Sequence, residues 1–188
     1  MLVPVTAADF DVDLDLRYAT SDNVAGRRLY RRAVCLLNPE AAEALRRAAQ
    51  LARAQGLRLR IYDAFRPVEV QLALVRLFPG SPYVSDPRTG SAPHCRGAAV
   101  DLTLADATGR PLEMGTPFDD FSDAAHHGST AIPPEAQRNR ALLLGIMTAA
   151  GWDFYRREWW HYQLFAPRRH PLLSDTVLSE PMAEEDLR

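Results

Sequence analysis

The seven residues Ala98 to Leu104, AAVDLTL, constrain the fold of this chain more than any other stretch. Ala98, Val100, Leu102 and Leu104 fall on one apolar face, while Ala99, Asp101 and Thr103 point the other way. The pattern reads as a core strand, and a sheet must form around it. Asp101 then sits on a face of small or polar side chains. A single Asp there is more often hydrogen-bonded or solvated structure than chemistry, unless partners from elsewhere in the chain reach it. His94, seven positions upstream, is the first candidate partner.

Caps, breakers and periodicity give the elements around this strand. Asn38 caps a helix that begins at Pro39, carries Glu40 and Glu43 in its first turn, sets Leu45, Ala48, Ala49 and Leu51 on one side and stops at Gly56. LRLRIYDAF alternates Leu57, Leu59 and Ile61 against Arg58, Arg60 and Tyr62, so it is a strand ending in the turn AFRP. A helix from about Val68 to Phe78 follows Pro67. The run PGSPYVSDPRTGSAPH is a long loop that delivers the chain to His94, and long loops within compact domains tend to carry function. Further on, DATGRP is a turn, residues 114–134 are irregular, and PEAQRNRALLLGIMTAAG is a third helix ended by Gly151. WDFYRREWWHYQLF gives two short strands around Arg156 and Arg157. The tail from Pro171, residues 171–188, is acidic and short of large side chains, and is expected to fray. With no βαβ rhythm, repeat or glycine-rich phosphate loop, the expected class is α+β: a small antiparallel sheet with flanking helices.

At 188 residues the chain suits one domain, 1–188, able to bury a core without disulfides. Twenty-two basic residues against twenty-four acidic ones leave a formal charge of -2, which suggests no nucleic-acid or anionic membrane surface and favours a small substrate. Cys35 and Cys95 lie about sixty residues apart in no CxxC arrangement, so neither a disulfide scaffold nor a thiolate zinc knuckle is expected. The N-terminal segment lacks a basic region and an unbroken apolar one, and no stretch nears the roughly 20 apolar residues of a membrane span. A cytoplasmic location is expected.

REWWHYQ, Arg157 to Gln163, supplies Glu158 and His161 as further candidate partners for Asp101. Two imidazoles and one carboxylate suit zinc: three protein donors at about 2.0–2.2 Å leave the fourth tetrahedral position for water, the pattern of a catalytic site. With one anionic ligand such a site keeps positive charge, which acidifies bound water and polarises a carbonyl. Glu158 precedes His161 by three residues, and in a regular strand the two would face opposite ways. A bulge, or strand entry at Glu158, would let it serve as general base. ExxH alone is weak evidence, because Glu158 equally suits a surface carboxylate paired with Arg156 or Arg157.

HxxGxAxD at His94 to Asp101, together with ExWH at Glu158 to His161, resembles the zinc D-alanyl-D-alanine dipeptidases of the VanX type. YATSDN (Tyr18 to Asn23), YDAFRP (Tyr62 to Pro67), MGTPFDDF (Met114 to Phe121) and the pair His126 and His127 fall in that family's order across nearly the whole chain. The resemblance implies an α+β fold shared with lysostaphin-type peptidases and the hedgehog signalling domain, with the zinc site on the sheet. It also implies hydrolysis of free D-Ala-D-Ala, with one zinc bound by His94, Asp101 and His161, Glu158 as base and Arg66 stabilising the oxyanion. Tyr18 and Asp119 match the family's positions for the substrate ammonium, where a carboxylate excludes blocked or longer peptides. The residues themselves leave other readings open: Arg66 as a solvated surface side chain, Asp119 capping a turn and Tyr18 as core.

Where the family commonly has Ser-x-His, this chain has Ala92 and Pro93 before His94 and Cys95 after it, which puts hydroxyl contacts to the substrate carboxylate in doubt more than metal binding. Cys95 suits a small buried side chain better than a ligand, since adjacent residues seldom reach one metal without strain. His126 and His127, in a loop, are expected to cap or hydrogen-bond. Trp159 and Trp160 are expected to be walls and core. Two other functions compete: a D,D-carboxypeptidase acting on longer peptidoglycan peptides, and a zinc-stabilised binding module without turnover. Glu158 and Arg66 argue against the second.

Overall fold

A computed structural model describes residues 1–188. The elements run β1 (Val3–Pro4), α1 (Ala7–Phe10), β2 (Val12–Leu14), β3 (Leu36–Leu37), α2 (Pro39–Ala54), β4 (Arg58–Asp63), α3 (Val68–Leu77), β5 (Ala99–Ala105), α4 (Pro134–Ala149), β6 (Asp153–Phe154) and β7 (His161–Gln163). Five strands form a sheet in the order β2-β4-β5-β7-β6, and β1 pairs with β3 separately. The class is α+β. Within the sheet β4, β5, β7 and β6 pair antiparallel, as expected, and the β2 edge runs parallel to β4.

β5 lies at the centre with all seven of its residues buried. Its face of Val100, Leu102 and Leu104 meets Leu59 and Ile61 of β4 in the main core, which the alanine-rich side of α2 covers. Ala41, Leu45, Ala48 and Ala52 form that side of the helix, and the small side chains allow close approach to the sheet. Leu51, expected on that side, is instead 38% exposed, because the helical period turns it outward and gives its place to Ala52. The Asn38 carboxamide accepts from the Ala41 N–H at 2.8 Å and sets the helix start where the Asn-Pro pair predicts it.

Two local irregularities aim the other face of the sheet. Between Ile61 and Asp63 the register of β4 shifts against β5: Ile61 pairs with Leu102 and Asp63 with Asp101, so Tyr62 is the extra residue of a bulge. The shift carries Asp63 onto the face of Asp101. Ahead of β5, His94–Arg96 form a 3-10 turn closed by Gly97 at φ 60°. A Cβ at Gly97 would come within 2.8 Å of the Asn38 nitrogen, so both the backbone conformation and the close approach require glycine.

The expected fraying of residues 171–188 does not match the structure. Met182 and Ala183 are fully buried, Arg31 N–H donates to the Met182 carbonyl at 2.8 Å, and the buried Asp175 carboxylate accepts from the Met182 N–H at 2.8 Å. Met182, Ala183 and a buried carboxylate hold a segment that its overall acidity made look solvated. The acidic side chains in turn pair with the Arg27 to Arg32 stretch: Asp186 with Arg27, Glu184 with Arg28, Glu185 with Arg31 and Glu180 with Arg32. No helix is long and apolar enough to cross a membrane.

Candidate active site

Three adjacent strands place Asp63, Asp101 and His161 in one cross-strand row, since Asp101 pairs with Asp63 on one side and with His161 on the other. His94 reaches the same point from its turn. His94 Nε2 lies 3.1 Å from His161 Nδ1 and 3.3 Å from Asp101 Oδ1, and His161 Nδ1 lies 3.0 Å from the same oxygen. All three residues are buried.

The outer nitrogens of both rings have their own partners. His94 Nδ1 is 2.7 Å from the Ala64 carbonyl, to which it can only donate, and His161 Nε2 is 3.2 Å from Gln163 Oε1. With those protons placed, His94 Nε2 and His161 Nδ1 present lone pairs to each other and to a carboxylate oxygen, an arrangement that asks for a cation in their midst. Donors at about 2.0–2.2 Å in a tetrahedral site stand about 3.3–3.6 Å apart, close to the separations here. The donor set fits a metal ion, and His94, Asp101 and His161 form a group able to hold one. Burial alone would raise the Asp101 carboxyl, but positive charge at this point, whether on the imidazoles or on a cation between them, outweighs it and holds it well below the usual carboxylate range.

Glu158 stands just before β7, in the turn that leads into His161, so strand entry and not a bulge brings the two together. Its Oε2 is 3.7 Å from His161 Nδ1 and the residue is 7% exposed, which removes the surface ion pair with Arg156 or Arg157 as its role. Burial pushes its carboxyl up to about 8 against the pull of the neighbouring His161 charge. A cation held by the ligand set would draw it back down.

Arg66 is likewise buried, not solvated. Its Nε and Nη2 donate to Asp63 Oδ2 at 2.9 and 2.7 Å, its Nη1 donates to Gln71 Oε1 at 2.9 Å, and its Nη2 is 3.5 Å from Asp101 Oδ2. The guanidinium lies over the Tyr18 ring at 4.7 Å, and the Tyr30 hydroxyl donates to the other oxygen of Asp63 at 2.7 Å. Sequence reasoning missed Asp63, Tyr30 and Gln71. Gln71 did leave a trace, as a polar residue on the side of α3 that buries Val70, Ala73 and Leu74.

Tyr18, Arg66, His94, Asp101, Asp119, Glu158 and His161 all line one cavity of about 250 Å³. Asp119 adopts φ 63°, and its carboxylate accepts from the Val24 N–H at 3.2 Å. Burial pushes its carboxyl up to about 7, the Arg66 charge opposing. Trp160 forms part of the wall, while Trp159 is buried with its Nε1 donating to Thr116 Oγ1 at 2.9 Å. Residues 81–86 and 90–93 of the long loop close one side of the cavity. Tyr83 of that loop stacks on Phe121 at 4.7 Å, and its hydroxyl is 3.0 Å from His126 Nε2, the hydrogen-bonding role expected of that histidine. His127 packs edge-on against Phe154 and Tyr162, and burial lowers its ring to about 4. Cys95 is buried, does not line the cavity, and has its thiol pushed up to about 12 by burial.

A buried His-Asp-His set able to hold a metal ion thus has a carboxyl group and a guanidinium at its edge, and the comparisons give the family. A sequence profile described as D-Ala-D-Ala dipeptidase matches residues 1–178, and the chain belongs to that family of metallopeptidases. It is 43% identical to the D-alanyl-D-alanine dipeptidase of Escherichia coli over 88% of this chain and 85% of that one. It is 33% identical to that of Enterococcus faecium, over 80% of this chain and 84% of the relative, and 32% identical to that of Streptomyces coelicolor, over 90% and 92%.

Proposed function

We propose that the chain hydrolyses the free dipeptide D-Ala-D-Ala to two D-alanines, with one zinc ion held by His94, Asp101 and His161. The observation that carries this reading is the meeting of His94 Nε2, Asp101 Oδ1 and His161 Nδ1 within 3.3 Å of one another, in a cavity that Glu158, Arg66 and Asp119 also line. Zinc bound there would acidify a water and polarise the scissile carbonyl.

Glu158, buried with its Oε2 3.7 Å from His161 Nδ1, takes the proton of the attacking water as a carboxylate and returns it to the leaving amine. Arg66, its charge fixed by Asp63, donates to the carbonyl oxygen as that oxygen becomes negative. Asp119 receives the substrate ammonium, a cation that would supply the charge partner this carboxylate lacks, and the Tyr18 ring closes the same end of the cavity. A cytoplasmic setting is supported by Cys35 and Cys95, both buried and unpaired.

The test is incubation of the zinc-loaded protein with L,L-, L,D- and D,D-dipeptides, free and N-acetylated, with release of free amino acid as readout. The reading expects D-alanine from D-Ala-D-Ala and little product from N-acetyl-D-Ala-D-Ala. Efficient cleavage of the acetylated dipeptide or of a pentapeptide would move the assignment to a D,D-carboxypeptidase. Metal binding with no turnover of any member would leave a binding module.

A further inference from the structure

Gln71 has a place in the site that neither the metal nor the proposed proton path uses. It lies on α3, 3% exposed, on the same helical side as Val70 and Leu74. Its two amide atoms are both engaged: Oε1 accepts from Arg66 Nη1 at 2.9 Å, and Nε2 donates to the Ser85 carbonyl at 2.8 Å. Chemistry forces this orientation, because a guanidinium can only donate and a carbonyl can only accept. One side chain therefore joins the arginine to the segment that covers the cavity.

The segment's other fastenings do not reach the Arg66 side chain. Tyr83 is held by Phe121 and His126, the Tyr155 hydroxyl donates to the Pro82 carbonyl at 2.9 Å, and Ser85 Oγ accepts from the Ala92 N–H at 3.1 Å. If Ser85 moves away, the buried Gln71 amide loses its acceptor and must turn to find another, and Arg66 Nη1 then loses its own acceptor. Asp63 holds only the Nε and Nη2 edge of the guanidinium and the Tyr18 ring lies against its face, which leaves Gln71 as the hydrogen-bond partner of the Nη1 end.

We propose that Gln71 is a positioning residue that ties residues 79–93 to the Arg66 guanidinium, so that closing the cavity and aligning the arginine are one event. The inference rests on the reading of Arg66 as the group that meets the developing oxyanion. Substrate-driven closure would then complete the site only when the segment is seated, which restricts turnover to molecules small enough to lie beneath it.

The experiment compares zinc-loaded native protein, Gln71→Met, Gln71→Glu and Val70→Ala on D-Ala-D-Ala, with trypsin cleavage after the exposed Arg88 as a readout of the segment. Val70 is fully buried on the same helix and controls for general loosening of α3. Gln71→Met is expected to keep its zinc, to lower kcat by roughly 10- to 100-fold with KM within roughly threefold, and to be cut faster after Arg88. Gln71→Glu keeps an acceptor for Arg66 but sets an oxygen against the Ser85 carbonyl, so it should be cut as fast as Gln71→Met while retaining a higher kcat. The proposal is overturned if Gln71→Met keeps kcat within about twofold of native, if Val70→Ala loses as much, if the cut after Arg88 is not accelerated, or if Gln71→Glu is no better than Gln71→Met. Arg66→Ala separates the two levels. If it is active, the reading of Arg66 fails; if it is inactive while Gln71→Met is not, only the tie fails.

Discussion

Asp101 and Asp119 are carboxylates lining the same cavity, and although the Arg66 charge acts on both, the rest of their surroundings differs. Asp101 projects from a central strand, is 2% exposed and is met by two imidazoles and the Arg66 guanidinium. Asp119 sits on an irregular segment at φ 63°, and one backbone N–H is its donor. The first is held far below the ordinary carboxylate range, and the second is pushed up to about 7. Under the proposed function, the charge that would hold an ion is built into the sheet with partners on all sides, whereas the one that would meet a diffusing cation is left short of them.

The contrast is broken most severely at the sheet. Asp101→Ala leaves two facing lone pairs without the anion between them, and is expected to reduce bound zinc from one per chain to a small fraction, with activity lost alongside; metal analysis of the purified variant checks it. Next comes Glu158→Ala, which should retain metal and fold while kcat falls by at least roughly 10²-fold. Activity within a few-fold of native would deny Glu158 its role as base.

Asp119→Asn tests the loop side. Loss of a partly desolvated ion pair should lower kcat/KM for the free dipeptide by roughly 10- to 100-fold while narrowing its advantage over the acetylated one. The same change carries a pH signature. A carboxyl whose folded value lies near 7, above its unfolded value near 4, favours the folded state at low pH and loses that contribution as pH rises between the two. Native stability from this group therefore declines from about pH 4 to pH 7, and Asp119→Asn should remove that part of the decline. Denaturation midpoints across this range would show it, and a parallel pH dependence in both proteins would contradict it. The smallest effect is expected for Tyr83→Phe, which deletes the hydrogen bond to His126 and should raise KM by roughly two- to fivefold, the worth of one partly exposed hydrogen bond.

The same contrast explains what could be read in advance. Strand β5 and the Asn38-capped helix follow from alternation and capping, and the long loop that delivers the chain to His94 follows from its Pro, Gly and Ser, all local signals. Asp63 does not. Simple alternation along β4 would put it with Leu59 and Ile61 on the core side, and only the bulge at Tyr62, a property of the pairing with β5, turns it to the cavity. Gln71 and Tyr30 escaped for a related reason, since their partners lie across the fold and leave no mark in nearby sequence. The tail was misjudged because its acidity outweighed, in a compositional view, Met182 and Ala183, which anchor it.

That tail sets an order of events in the making of the protein. Ala183 bridges to Tyr30, whose hydroxyl holds Asp63, which holds Arg66. Tyr30 leaves the ribosome about 150 residues ahead of Ala183, a gap of roughly 8–30 s at ordinary elongation rates. Through that interval the segment around Tyr30 lacks its bridge, and the arginine is supported by an aspartate whose own support is incomplete. His161 leads Ala183 by only 22 residues, so the candidate ligand set and the support of the arginine are both completed late in synthesis, within a short interval of each other.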